Sequence, residues 1–130
     1  MTKISIYLSN DLVTDQRMQR IARTLIDFDF KIHLIGIKHR LSKELLVDGV
    51  KITRLMAWPR GGLLFYIFLQ IRFFFKALFD TADIFWSVDL DTLMPIRIAS
   101  YLKRKPMIWD CHEIFSEIPE LYSRPLPRKI

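Results

Sequence analysis

Residues 3–37 read KISIYLSNDLVTDQRMQRIARTLIDFDFKIHLIGI, and this stretch decides the fold. Lys3–Leu8 is a short apolar run of strand length, and Ser9–Thr14 is small and polar, a loop leading to a helix start with Thr14 or Asp15 as N-cap. Met18, Ile21, Ala22, Leu25 and Phe28 then recur at three- and four-residue spacing, which lays one apolar stripe along a helix. Phe30–Ile37 is a second strand, closed by Gly36 and the basic residues around His39. The helix stripe between two nearly continuous apolar strands must face a sheet.

Downstream the same alternation continues. Gly49 marks a turn before a third strand, Val50–Leu55. Trp58-Pro59-Arg60-Gly61-Gly62 punctuates the chain, and Leu63–Phe79 follows as a long apolar helix. Asp83–Val88 is a fourth strand, a polar loop around Asp89 and Asp91 opens a helix through Tyr101, and Pro106–Cys111 is a fifth strand. Strands of this kind separated by helices form a parallel sheet covered on both faces, so residues 1–130 are expected to be a single α/β domain with a doubly wound, Rossmann-like sheet. Ligands in such sheets sit outside the carboxyl ends of the strands, near the point where strand order reverses. The loops after Leu8, Val88 and Asp110 are therefore the candidate site.

Composition bounds the function. Of 130 residues 51% are hydrophobic and 26% charged, with four glycines and six prolines, the profile of a globular chain and not of a disordered one. A formal net charge of +6 and a pI of about 9.7 point to an anionic partner. The N-terminal apolar run is too short for a secretory leader, and Cys111 is the single cysteine, which rules out an internal disulfide and cysteine-based zinc. A cytoplasmic setting is expected. Nucleic acid is not, because the aromatics fall in an apolar helix instead of alternating with basic residues on a sheet face.

The candidate loops hold Ser9-Asn10-Asp11 through Asp15-Gln16-Arg17, then Ser87-Val88-Asp89-Leu90-Asp91, then Trp109-Asp110-Cys111-His112-Glu113 with Glu117-Ile118-Pro119-Glu120. In order and placement these segments resemble the N-terminal domains of the retaining GT-B family 4 glycosyltransferases, with their D-x-R helix start, acidic loop after strand four and D-x-H-E segment after strand five. The resemblance spans nearly the whole chain. It implies the acceptor-side half of an enzyme that moves a sugar from a nucleotide-sugar to a glycan or lipid-linked acceptor in cell-surface polysaccharide synthesis. The nucleotide-sugar would be held by a second, C-terminal domain, so residues 1–130 alone should not catalyse, and no cofactor or metal is implied. His112 corresponds to the family's cleft histidine near the transferred sugar, and the stretch Asn10–Asp15 to the loop that faces the acceptor. Unlike many members, this chain has no glycine after its first strand, which argues against close backbone approach to a phosphate there.

Read by themselves, the residues allow plainer roles. His112 stands between Asp110 and Glu113, where it could hold a proton near neutral pH, bond a sugar hydroxyl, or cap a helix. Adjacent residues rarely converge on one ion, so Asp110, His112 and Glu113 are not expected to bind metal. Arg17 and Arg20 oppose the dipole of the helix they begin, which leaves either an anion-binding role for Arg17 or a solvated basic face. Asp91 is expected to cap the helix at Thr92, Cys111 to be a small buried hydrophobe, and Trp58 and Trp86 to pack.

Leu63–Phe79 carries Phe65, Tyr66, Phe68, Phe73, Phe74, Phe75 and Phe79 against only Gln70, Arg72 and Lys76 as polar residues. About 17 residues is the lower limit for a span, and a cation at the bilayer centre costs about 2.5–3.5 kcal/mol, so a transmembrane helix is not expected. Three readings stay open: a core helix, a helix lying in the interface at the inner face of the membrane, and a contact between copies of the chain. The last two define a non-catalytic alternative, a doubly wound binding module that associates with membrane or with itself through this helix.

Overall fold

A computed structural model describes residues 2–11, 16–38, 49–56 and 62–110, with the backbone alone at 10 and 11. The elements run β1 (Lys3–Asp11), α1 (Gln16–Asp27), β2 (Lys31–Lys38), β3 (Val50–Met56), α2 (Gly62–Leu78), β4 (Ile84–Val88), α3 (Leu93–Lys103) and β5 (Met107–Asp110). All five strands are parallel, in the order β3-β2-β1-β4-β5. The sheet is Rossmann-like. The strand order reverses between β1 and β4, the switch point at which open α/β sheets form a crevice.

Side chains alternate across β1 and so divide the core in two. Ile4, Ile6 and Leu8 join Ile32, Leu34 and Val88 under Met18 and Ala22 of α1. Tyr7 points the other way, into a cluster with Ile35, Ile37 and Phe85 that is covered by Leu69, Phe73 and Ala77 of α2 and by Ile96 and Ala99 of α3. The α2 residues are four apart, as one buried helix face requires. Ile21 and Leu25 are half-buried as the α1 stripe predicts, but Phe28 is exposed. The helix ends first: Asp29 turns left-handed at φ 67°, and Phe28 sits in the closing turn with its N–H on the Leu25 carbonyl at 3.1 Å. Gly49, at φ 78°, takes the conformation that a glycine permits before β3.

A buried carboxylate ties the amino end of the sheet together. Asp80, just past α2, accepts the Tyr7 hydroxyl at 2.6 Å, the Ala82 N–H at 3.1 Å and the Lys3 ammonium at 3.4 Å. Its own carbonyl accepts from the Lys103 ammonium of α3. Burial pushes the Asp80 carboxyl up, but hydrogen bonding from Tyr7 and the charge of Lys3 outweigh it and hold the group below its ordinary value. Burial, then the bond to Asp80 and its charge, push the Tyr7 phenol far up. Nearby, His33 is buried with Nε2 2.6 Å from Thr53 Oγ1 and no partner for Nδ1. Burial lowers its pKa to about 4, opposed by Asp80 and assisted by Lys51, Lys76 and Lys3.

Two measurements check this cluster. Tyr7→Phe should cost about 1.5–3 kcal/mol in urea unfolding, the range for a hydrogen bond to a charged group. His33 is neutral in the fold at a pH where the unfolded chain protonates it, so the unfolded state binds more protons between pH 6.5 and about 4. Stability should therefore fall by on the order of 3 kcal/mol as pH drops through that window. His33→Gln should flatten the slope there, and an unchanged slope would assign the acid sensitivity to other groups.

Candidate functional site

At the carboxyl end of the sheet the switch point brings together the ends of β1, β4 and β5 and the start of α1. β1 and β2 stay in register from Lys3 to Tyr7, then shift, so that Asp11 rather than Ser9 pairs with Ile37. The extra residues bulge the end of β1, beyond the last residue that pairs with β4, as irregularities near functional rims do. Asn10 lies on this bent backbone.

Arg17, the second residue of α1, reaches across the rim to Asp110, the last residue of β5, with Nη2 donating to Oδ2 at 2.6 Å. This pair answers why a cation tolerates the amino end of a helix: a carboxylate from another element stands beside it. A guanidinium carries five N–H donors, and a carboxylate has about four lone-pair sites, so a pair of this kind can hold a ligand's anion and hydroxyl while bonded to each other.

The turn after β4 is built around Asp89 and Asp91. Asp89 is left-handed at φ 60°, a conformation that aspartate tolerates better than most residues. Its N–H donates to the Asp110 carbonyl at 2.8 Å, and its carbonyl accepts the Trp109 indole N–H at 3.0 Å. Asp91 does not cap α3. Its Oδ2 accepts the Ser9 hydroxyl at 2.9 Å, while Gln70 of α2 donates to its carbonyl at 2.5 Å. Thr92 takes the N-cap position without a side-chain cap bond; its hydroxyl turns back to the Val88 carbonyl at 2.9 Å and lies 2.6 Å from Ser87 Oγ. Asp91 is drawn to β1 because Ser9 offers a hydroxyl directly across the switch point.

Of the residues singled out from sequence, Arg17 and Asp110 meet, and Asn10 lies on the same rim. Asp15, His112, Glu113, Cys111 and Trp58 lie outside the described residues, as do Glu117 to Glu120. Trp86 packs against the α1-side core, its indole N–H buried and without a partner. The contributions of Ser9, Asp91 and Gln70 were not apparent from sequence. Ser9 and Asp91 stood within the quoted segments, but Gln70 had no signal beyond being polar in an apolar helix. Among the described residues no three His, Cys, Asp or Glu side chains are placed to share a metal ion.

No family model matches the chain, and no curated protein matches its sequence. Among solved structures it is similar to the C-terminal domain of PF1911 hydrogenase from Pyrococcus furiosus. Against residues 83–215 of that protein the TM-score is 0.59 at 11% identity, covering 83% of this chain and 90% of that one. Against residues 78–226 it is 0.62 at 14% identity, covering 84% and 91%. At these identities the likeness is one of fold.

The Arg17 side chain is 37% exposed and that of Asp110 17%, so solvent screens the pair. A double-mutant cycle with Arg17→Ala and Asp110→Ala should give a coupling of roughly 0.5–1 kcal/mol in unfolding. A coupling several times larger would make the pair a structural clamp and not a ligand site.

Proposed function

We propose that the carboxyl rim of this domain is the acceptor side of a sugar transferase, taking a hydroxylated acceptor with an anionic part, a glycan or a lipid-linked phosphate. The observation that carries the reading is the Arg17–Asp110 pair: two residues far apart in sequence, each matched to the glycosyltransferase pattern, bonded at the switch point of the sheet. Arg17 supplies positive charge for the acceptor's anion. Asp110 and its neighbour His112 orient the acceptor hydroxyl and manage its proton, with Glu113, Asn10 and Asp15 completing the acceptor contacts. The nucleotide-sugar binds a second α/β domain that faces this rim. Positioning and charge stabilisation, with no covalent intermediate on a protein group, supply the catalysis.

The test is sugar transfer by the whole protein, followed as nucleoside diphosphate release from a panel of nucleotide-sugars with glycan and lipid-linked acceptors. Arg17→Ala and Asp110→Asn should each lower kcat/KM for the acceptor about ten- to hundredfold, the loss of one charge-assisted bond, and leave the KM for the donor unchanged. Full activity in Asp110→Asn, or no release with any nucleotide-sugar, would retire the reading.

A further inference from the structure

α2 is apolar on its outward face as well as its inward one. Leu69, Phe73 and Ala77 are fully buried on one line of the helix. At 3.6 residues per turn the opposite line, the one that faces outward, is Leu64, Ile67, Phe68, Ile71 and Phe75, with Phe79 exposed in the turn just past the helix. Leu64 is 60% exposed, Phe75 51% and Phe79 79%. A surface helix ordinarily sets its charges there. Here the only strongly polar residues, Gln70, Arg72 and Lys76, lie on the seams between the buried and outward lines, and Arg72 is anchored through Nη1 to the Met56 carbonyl at 2.6 Å.

The neighbouring helix repeats the arrangement. α3 packs beside α2 and exposes Met94, Ile98, Tyr101 and Leu102, with Arg97 among them, its guanidinium 6.0 Å above the Tyr101 ring. Neither helix contains an aspartate or a glutamate; of their cations Lys103 turns inward to the Asp80 carbonyl and Arg72 is held on the Met56 carbonyl, while Lys76 and the exposed Arg97 complete the set. An apolar face fringed by cations and devoid of carboxylates, on a chain of net charge +6, is complementary to one kind of partner. An anionic bilayer interface receives apolar side chains about 5–10 Å deep and holds cations at headgroup level. A second copy of the chain would oppose the same acid-free, cationic faces to each other.

We infer that the outward face of α2, with the adjoining face of α3, docks the domain flat onto an anionic phospholipid surface. The helix lies in the interface and does not cross it: no helix among the described residues is long and apolar enough to span a membrane. The exposed Arg97 meets the headgroups on its long stem while Leu64, Ile71 and Phe75 enter the acyl boundary. The inference stands on this face alone and does not require the sugar-transfer reading. Because Gln70 of the same helix bonds the Asp91 carbonyl, docking would also hold the rim beside the lipid.

The experiment is vesicle co-sedimentation of the whole chain on phosphatidylcholine alone and on phosphatidylcholine with about one-third phosphatidylglycerol, at low and high salt, with sedimentation velocity in parallel. Binding is expected on the anionic vesicles, several-fold weaker on neutral ones and weaker again in high salt. Arg97→Gln should weaken it about fivefold, the worth of one cation near such a surface. Phe75→Asp should abolish it while leaving the circular dichroism unchanged, since the side chain is exposed. As a variant that keeps the face apolar, Phe75→Trp should show a blue-shifted emission on anionic vesicles relative to the unsubstituted chain. No binding to either vesicle, or equal binding to both, overturns the inference. So does a dimer in solution that Phe75→Asp splits while vesicle binding is unaffected, which would assign the face to a contact between copies.

Discussion

One buried hydrogen bond, from the Tyr7 hydroxyl to the Asp80 carboxylate, joins positions separated by 73 residues and decides how the rest of the domain is held. Tyr7 is in the central strand and Asp80 is where the chain leaves α2 for β4. The bond therefore fixes the end of α2 over the middle of the sheet, and Tyr7 meets Phe73 edge-to-face at 5.7 Å on the same face. A buried carboxylate is tolerable only with partners, and Tyr7, Lys3 and the Ala82 N–H provide them. Since Lys103 of α3 binds the carbonyl of the same residue, one position seats both helices of that face.

With α2 held there, its inward line is committed to Leu69, Phe73 and Ala77, and its remaining apolar surface has to face out. The same placement carries Gln70 to the turn after β4. The two ends of the sheet thus have different characters. The amino end is a closed polar knot whose groups are satisfied internally, apart from His33 Nδ1, which is buried without a partner. The carboxyl end is a set of short links between neighbouring strand ends, Ser9 to Asp91 and Asp89 to Asp110, with the Arg17 pair at its rim. Such links leave backbone and side chains at the surface of a crevice, where a ligand can use them.

Much of this was legible before any coordinates. The eight elements, their order and the parallel sheet followed from apolar runs and one clear helical stripe, and element ends agreed to within a few residues. Phe28 misled because spacing alone does not reveal that Asp29 turns left-handed. Asp91 misled because a carboxylate before a helix ordinarily caps it, and the competing hydroxyl of Ser9 comes from a strand more than eighty positions away. The Tyr7–Asp80 bond had no sequence signature, since long-range polar pairs leave no periodicity. For α2 the composition was plain but the phase was not: with apolar residues on nearly every line of the helix, only the packed structure tells which three face inward.

The order of the strands bears on how the chain is made. Among the strands β1 is made before β2, pairs with it soon afterwards, and then waits with its other edge bare until β4 arrives; the backbone N–H of Lys3 bonds a carboxylate 80 residues later. At a synthesis rate of about 5–20 residues per second that interval lasts several seconds. During it the nascent β1–α1–β2 unit offers an open strand edge and one uncovered apolar side, the surface on which a holding chaperone would act.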